Sequence, residues 1–161
     1  MGEQNRTIIV HISDDASQPN GLRFGMSGFG VEPRQMDGKA DFEIKCGKDK
    51  AGMQKKDPHK ITFEINNRSS RNWVFPTNVQ NAMWVGDATT CPKTAPGEHA
   101  EFKWKDYKRL QDGEQLEVKN QNSSKGDYKF SLNFIDADGN PNELYPFDPI
   151  WTNQNGGGGS R

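Results

Sequence analysis

The sequence predicts an all-β protein in which two antiparallel sheets pack face to face. Apolar and polar residues alternate with a period of two in several segments, as they do in strands that bury one face. Turn-forming Gly, Pro, Asn and Asp residues separate these segments. No stretch of ten residues shows the 3.6-residue apolar period of an amphipathic helix. Strands with one solvated face are typical of antiparallel sheets.

The alternation is clearest in residues 60–66, where Ile61, Phe63 and Ile65 share one face. It recurs in four other segments, which are residues 7–13, 41–46, 114–119 and 127–135. Weaker strand signals occur at residues 22–31, 73–75, 82–85, 100–104 and 149–152. Residues 106–111 have room for one helical turn. Segment 67–99 is long and rich in turn residues, as a crossing between two sheets would be, so we favour a sandwich over a closed barrel.

The composition indicates one folded domain with a thin core. Only 31% of the 161 residues are hydrophobic, but aromatic residues reach 10% and the net charge is -1, whereas disordered chains are highly charged and poor in aromatics. No run approaches the roughly 18 apolar residues of a membrane-spanning helix. We expect a single domain over residues 5–153. Residues 154–161 form a tail that ends in GGGGSR, which is typical of an engineered flexible linker.

The charge pattern bears on the expected partners, and the N-terminal segment bears on the expected location. The 21 basic and 22 acidic residues interleave without a basic stripe, so we expect no nucleic-acid partner. The first residues, MGEQNRTIIVHISDD, lack the basic and then apolar pattern of a secretion signal. We therefore expect a cytoplasmic protein in which Cys46 and Cys91 are reduced thiols. In a mature secreted form, which the pattern leaves open, these two residues could form a disulfide.

Two segments resemble known sandwich proteins. Residues 61–67, ITFEINN, are similar to the strand that opens many cupredoxin-like and immunoglobulin-like sandwiches. Residues 128–139, YKFSLNFIDADG, followed by Asp148-Pro149-Ile150, resemble the C-terminal hairpin of small bacterial β-sandwich proteins of the DP-EP kind. Inclusion-body proteins of the PixA/AidA kind end in a similar way. The resemblance implies an immunoglobulin-like or cupredoxin-like sandwich of bacterial type, and it assigns no catalytic residue.

A cupredoxin-like fold raises the question of copper. A blue-copper site uses two His, one Cys and a weak axial ligand such as Met. The candidates are His11, His59, His99 and Cys91, but no methionine follows His99. The sequence thus departs from the copper pattern, and a transition metal at His and Cys positions is kept as an alternative.

Calcium is a second metal alternative. Asp136, Asp138 and Asn140 place three oxygen-bearing side chains within five residues, and oxygen ligands suit calcium. The EF-hand spacing is absent, since Gly139 stands at the fourth position of the loop rather than the sixth. A hairpin loop also accounts for an Asp-Gly pair without an ion. We therefore expect no cofactor and keep calcium as an alternative.

The strongest candidate for a functional surface is the segment 72–84. It joins amides, which form hydrogen bonds, to large flat apolar groups. The predicted ligand or assembly surface consists of Trp73, Phe75, Asn78, Asn81 and Trp84. The alternative is a crossover between sheets that packs on its own aromatic side chains.

These observations favour a non-enzymatic binding or self-assembling module that acts through a polar and aromatic surface. The expected partners are further copies of the chain, another protein or a carbohydrate. We expect homo-oligomers, because a thin core gains from apolar area buried between subunits. The alternatives are a metal-binding sandwich and a hydrolase with an unrecognised site. The sequence contains neither GxSxG nor HExxH, but residues far apart in the chain can meet in space.

Overall fold

The structure is a computed structural model that describes residues 4–28, 30–36, 39–46, 58–87, 98–123, 126–147 and 150–153. Most of these residues lie in strands, and the described part of the chain contains no α-helix. The strands are β1 (Gln4–Asp14), β2 (Leu22–Ser27), β3 (Val31–Met36), β4 (Lys39–Cys46), β5 (His59–Asn67), β6 (Trp73–Val74), β7 (Met83–Asp87), β8 (Lys108–Leu110), β9 (Gln115–Asn120), β10 (Gly126–Asp136), β11 (Tyr145–Phe147) and β12 (Ile150–Asn153). Short 3-10 turns occupy Pro19–Gly21, Val79–Asn81, Trp104–Asp106 and Gln111–Gly113.

The strands form two sheets, which confirms the predicted all-β, two-sheet architecture. The first sheet has the order β2-β1-β5-β9-β8. The second has the order β11-β10-β12-β4-β3, and β10 also pairs with β6 and β7. The chain passes from the first sheet to the second between β2 and β3, since β2 pairs with β1 and β3 pairs with β4.

The prediction of purely antiparallel sheets is wrong, because each sheet contains one parallel pair. β1 runs parallel to β5, and β4 runs parallel to β12. Parallel neighbours need a long connection to bring the chain back to the same end of the sheet. The chain supplies such connections, since β2–β4 separate β1 from β5, and β5–β11 separate β4 from β12.

The core lies between the two sheets and is built from alternate strand positions. Ile8, Val10 and Ile12 of β1 are fully buried, as the alternation predicts. Phe63 of β5 faces Phe130 of β10 across the core, with their ring centroids 6.3 Å apart. The residues between these positions point to the outer faces of the sheets, where the candidate sites described below are located.

The other strand predictions differ in outcome. The strong segments all correspond to strands, which are β1, β4, β5, β9 and β10. The predicted strand at residues 100–104 is wrong, because the chain there makes one isolated bridge between His99 and Phe102 and then a 3-10 turn. Instead of a single helical turn, residues 106–111 include the short strand β8, which is held by its pairing with β9. The tail 154–161 lies outside the described residues.

Candidate functional site

The aromatic side chains of the predicted surface lie in the interior. Trp73 and Phe75 are 1% and 0% exposed, and Trp84 is 9% exposed. The ring of Phe75 packs against the core ring of Phe134 at a centroid distance of 4.9 Å. Trp73 and Phe75 belong to the core between the sheets, because a sandwich with few aliphatic side chains uses large rings to fill its interior. Trp84 is buried on the other face of the second sheet, opposite Ser131. Trp104 is partly buried against the same core.

The two amides of the predicted surface do lie at the surface, and they line a cleft. Asn78 is exposed and Asn81 is half-buried. Both belong to one wall of a cleft of about 380 Å³, a size that suits a small ligand. We call it the amide cleft, and its lining residues are Pro76, Thr77, Asn78, Asn81, Ile135, Pro141, Asn142 and Leu144.

The wall that contains Asn78 and Asn81 is built around the 3-10 turn Val79–Asn81. The Asn78 side chain caps this turn, since its oxygen accepts a hydrogen bond from the Gln80 backbone N–H at 3.2 Å. The Trp84 indole N–H donates to the Gln80 carbonyl at 3.1 Å. The middle residue of this half-buried turn is therefore held through both its backbone N–H and its carbonyl.

A buried amide attaches this turn to the second sheet. Asn133 of β10 is 1% exposed, and its side-chain nitrogen donates to the Asn81 carbonyl at 2.8 Å. The Ser131 hydroxyl donates to the side-chain oxygen of Asn133. Buried polar groups need such partners, because an unmet donor or acceptor is costly away from water. Asn133 alternates with Phe134 of the core, so the turn lies on the outer face of β10.

The opposite wall follows the loop after β10, which contains the predicted calcium residues. The Asp136 carboxylate accepts from the Asp138 backbone N–H at 3.0 Å, and the Asn140 side-chain oxygen accepts from the Asn142 N–H at 2.9 Å. These are Asx turns, which fold a loop through its own backbone. They account for the acidic pattern and place Asn142 at the cleft.

The structure does not bring the three histidines, which are the described candidates for transition-metal ligands, into one cluster. His11 contacts Ser27 and Asn66, His59 is buried beside Arg6, and the ring of His99 packs 4.9 Å from that of Tyr128. Cys91 lies outside the described residues. Within the described part of the chain, no group of three or more His, Cys, Asp or Glu residues is placed to hold a metal ion.

The amide cleft combines uncharged polar groups with apolar walls. Thr77, Asn78, Asn81 and Asn142 supply hydroxyl and amide groups that can both donate and accept hydrogen bonds. The remaining lining residues are proline, isoleucine and leucine. Such a site can orient a neutral polar ligand through hydrogen bonds while it packs against the ligand's apolar faces.

The sequence singled out Asn78 and Asn81 but not the wall that faces them. Ile135, Pro141 and Leu144 carry no motif, and Asn142 stood out only as a neighbour of the calcium pattern. Pairing of Ile135 with Val74 and of Leu132 with Met83 brings the two walls together. Asn133 occupies an outward strand position, where polar residues are ordinary, so the sequence carried no signal for its contact with the turn.

Among the residues that the structure describes, no helix has the length and apolar character that crossing a membrane requires.

Comparison with known proteins gave one type of match. No protein-family model matches the chain, and neither does any curated protein. Among solved structures, the chain is similar to an inclusion body protein (PixA) from Burkholderia cenocepacia J2315, with 13% sequence identity and a TM-score of 0.35. That alignment covers 92% of this chain and 91% of the other. The functional conclusions below therefore rest on contacts within this chain.

Proposed function

We propose that this protein is a binding module on an immunoglobulin-like or cupredoxin-like sandwich, and that the amide cleft is its ligand site. The observation that carries the proposal is the chemistry of the cleft, whose lining residues are all uncharged. Amide and hydroxyl groups alternate there with prolines and aliphatic side chains. The site is pre-formed, because Asn133 and the Asx turns fix both walls through hydrogen bonds.

A neutral oligosaccharide is the ligand class that fits this chemistry best. An amide such as that of Asn81 can donate to one sugar hydroxyl and accept from the next. The exposed ring of Pro141 and the half-buried side chain of Leu144 offer apolar surface for the C–H faces of the sugar. An extended peptide presents similar donors and acceptors and is the competing ligand class in the experiment.

The test is a titration of the isotope-labelled protein with neutral hexasaccharides, followed by NMR of the side-chain amide signals. We expect the signals of Asn81 and Asn142 to shift together and to saturate. Asn81→Ala and Asn142→Ala should each weaken binding about tenfold, since each removes one or two hydrogen bonds. Gln18→Ala is the matched control, because Gln18 is an exposed amide in the turn after β1.

Two results would contradict the proposal. Saturable shifts that are confined to residues outside the cleft would remove it as the ligand site. Equal weakening by Gln18→Ala would show that the loss does not report on the cleft. Shifts with proline-containing peptides, but not with sugars, would keep the site and change the ligand class.

We also propose that the protein self-associates through its sheet edges. In the described residues, β2, β3 and β8 each pair with a neighbouring strand along one edge only. An open edge presents backbone donors and acceptors to another chain. Sedimentation across micromolar concentrations should give a mass that rises above 18.1 kDa. A constant monomer mass over that range would refute this second proposal.

A further inference from the structure

Three polar side chains meet on the outer face of the first sheet, away from the amide cleft. The Nε2 atom of His11 lies 2.9 Å from the Ser27 hydroxyl oxygen. The Nδ1 atom of the same ring lies 3.0 Å from the side-chain amide nitrogen of Asn66. Each residue comes from a different strand, because β2, β1 and β5 are neighbours in this sheet.

The sheet register holds this group together. His11 is the direct partner of Asn66 in the parallel pair of β1 and β5. On its other side His11 pairs with Gly25, so Ser27 stands one diagonal position away on the same face. The pairing of the three strands therefore places these side chains next to one another. They remain within hydrogen-bond distance with few changes of rotamer.

We infer that Ser27, His11 and Asn66 form an acyl-transfer site that accepts activated esters. A hydroxyl within hydrogen-bond reach of an imidazole, whose second nitrogen is held by a third group, is the arrangement of an activated nucleophile. Ser27 is the nucleophile and His11 the general base. Asn66 is a positioning residue, because it acts through the ring of His11.

The orientation of the Asn66 amide decides whether His11 can act as the base. With the amide nitrogen toward Nδ1, that atom accepts a hydrogen bond and Nε2 carries the proton. When the amide turns over, its oxygen accepts from Nδ1–H and leaves Nε2 free to accept the Ser27 proton. The second arrangement is the reactive one, and the amide can present either atom.

The proposed step is written for p-nitrophenyl acetate. The Ser27 oxygen forms a bond to the acetyl carbon, its proton moves to His11 Nε2, and the ester C–O bond breaks to release p-nitrophenolate. After His11 has lost this proton to solvent, it takes a proton from water, and the resulting hydroxide attacks acetyl-Ser27. The Ser27 oxygen recovers a proton from His11, and acetic acid is released, which loses its proton to solvent as acetate.

The location of Ser27 allows an ester to approach. Ser27 is exposed and lies at the end of β2, the outermost strand of its sheet among the described residues. Alternate N–H groups of an edge strand point away from the sheet. They are the donors available to the oxyanion that develops as the serine attacks.

The experiment measures p-nitrophenolate release from p-nitrophenyl acetate and locates the acetyl group by peptide mass spectrometry after an acid quench. We expect acetyl-Ser27 in the wild-type protein and none at this position in Ser27→Ala. His11→Gln should lower the acetylation rate about 100-fold, the lower end of a general base contribution. Ser70→Ala is the matched control, since Ser70 is an exposed serine on another segment.

Substitutions of Asn66 distinguish a residue that sets the tautomer of His11 from a residue that only supports the fold. Asn66→Asp fixes an acceptor on Nδ1 and should raise the acetylation rate about tenfold or more, because it enforces the reactive tautomer. Asn66→Ala should lower the rate. Thermal melts of all variants check the fold. An acetyl group found only on His11 or on lysines, or equal rates in Ser27→Ala and wild type, would overturn the inference.

Discussion

Tyr107 is a buried phenol whose ionisation is linked to stability. Burial raises the pKa of Tyr107 far above its ordinary value, and the nearby Glu98 carboxylate adds to the effect. The folded protein therefore keeps this proton while the unfolded chain loses it near pH 10. The resulting stabilisation is complete below about pH 10 and is lost as the pH rises toward the raised pKa.

Replacing this hydroxyl should make the protein less sensitive to alkali. We expect the urea midpoint of the wild type to fall between about pH 8 and about pH 11, and that of Tyr107→Phe to fall less. Fluorescence-detected unfolding at both pH values provides the measurement. An identical fall in the two proteins would show that Tyr107 does not contribute to the alkaline loss.

The loop after β10 provides a prediction about metal ions. The Asp136 and Asn140 side-chain oxygens already accept backbone N–H groups of the same loop. We therefore expect no rise in melting temperature at millimolar calcium relative to a chelator-treated sample, since a ligand that binds only the folded state would raise it. A rise that is abolished by Asp136→Asn would instead support a calcium site.

At the scale of elements, the turn Val79–Asn81 depends on one buried amide. Asn133→Ala removes the donor to the Asn81 carbonyl and leaves the buried Ser131 hydroxyl without its acceptor. We expect a loss of about 1–3 kcal/mol in the free energy of unfolding. Trp84 fluorescence should also change, because its indole bonds to the same turn.

A surface amide provides the comparison for that variant. Gln115 donates to the Glu64 carboxylate at 3.0 Å in a half-buried contact on the outer face of the first sheet. Gln115→Ala should cost less than Asn133→Ala, because water can replace the lost partner. Equal losses would indicate that Asn133 does no more than an ordinary surface amide.

The turn before β9 depends on a glycine. Gly113 has a φ of 93°, and a Cβ atom there would lie 2.5 Å from the Arg109 guanidinium. Its carbonyl accepts the Phe75 N–H, and Arg109 donates to the Phe75 carbonyl. Gly113→Ala should cost about 1–3 kcal/mol through backbone strain and displacement of Arg109.

Gly21→Ala separates the two causes. Gly21 also has a positive φ, of 70°, but no atom lies within 4 Å of an added Cβ. The difference in unfolding free energy between the two variants measures the crowding of the new Cβ atom against Arg109 and against Val74, whose Cβ atom would be 3.0 Å away. If the two losses are equal, backbone strain alone accounts for both.

At the scale of the whole molecule, the two sheets depend on contacts between large rings. Phe63 is fully buried and faces Phe130 of the other sheet. We expect Phe63→Ala to cost about 3–5 kcal/mol, a large part of the stability of a small domain. Thr62→Ala, on the outer face of the same strand, should cost about 1 kcal/mol or less. Denaturant unfolding compares them, and similar losses would contradict a core shared by both sheets.

The contrast between the buried face and the outer face of a strand explains which features were predictable from the sequence. Burial of one face imposes a period of two, so β1, β5 and β10 could be located from their residues alone. β8 has three residues and is held by its pairing with β9, so it has no pattern of its own. The burial of Trp73 and the far wall of the amide cleft depend on sheet register, which the local sequence does not encode.

The parallel pairing of β4 with β12 has a consequence for synthesis. Residue 43 lies opposite residue 150, so this part of the second sheet cannot close until nearly all of the described chain has left the ribosome. During that interval the β4 edge of the β3–β4 hairpin has no partner strand. Unpaired strand edges promote aggregation of partly folded chains. Slow translation of the middle of the chain would lengthen this interval, and a chaperone that covers the hairpin would protect the yield of folded protein.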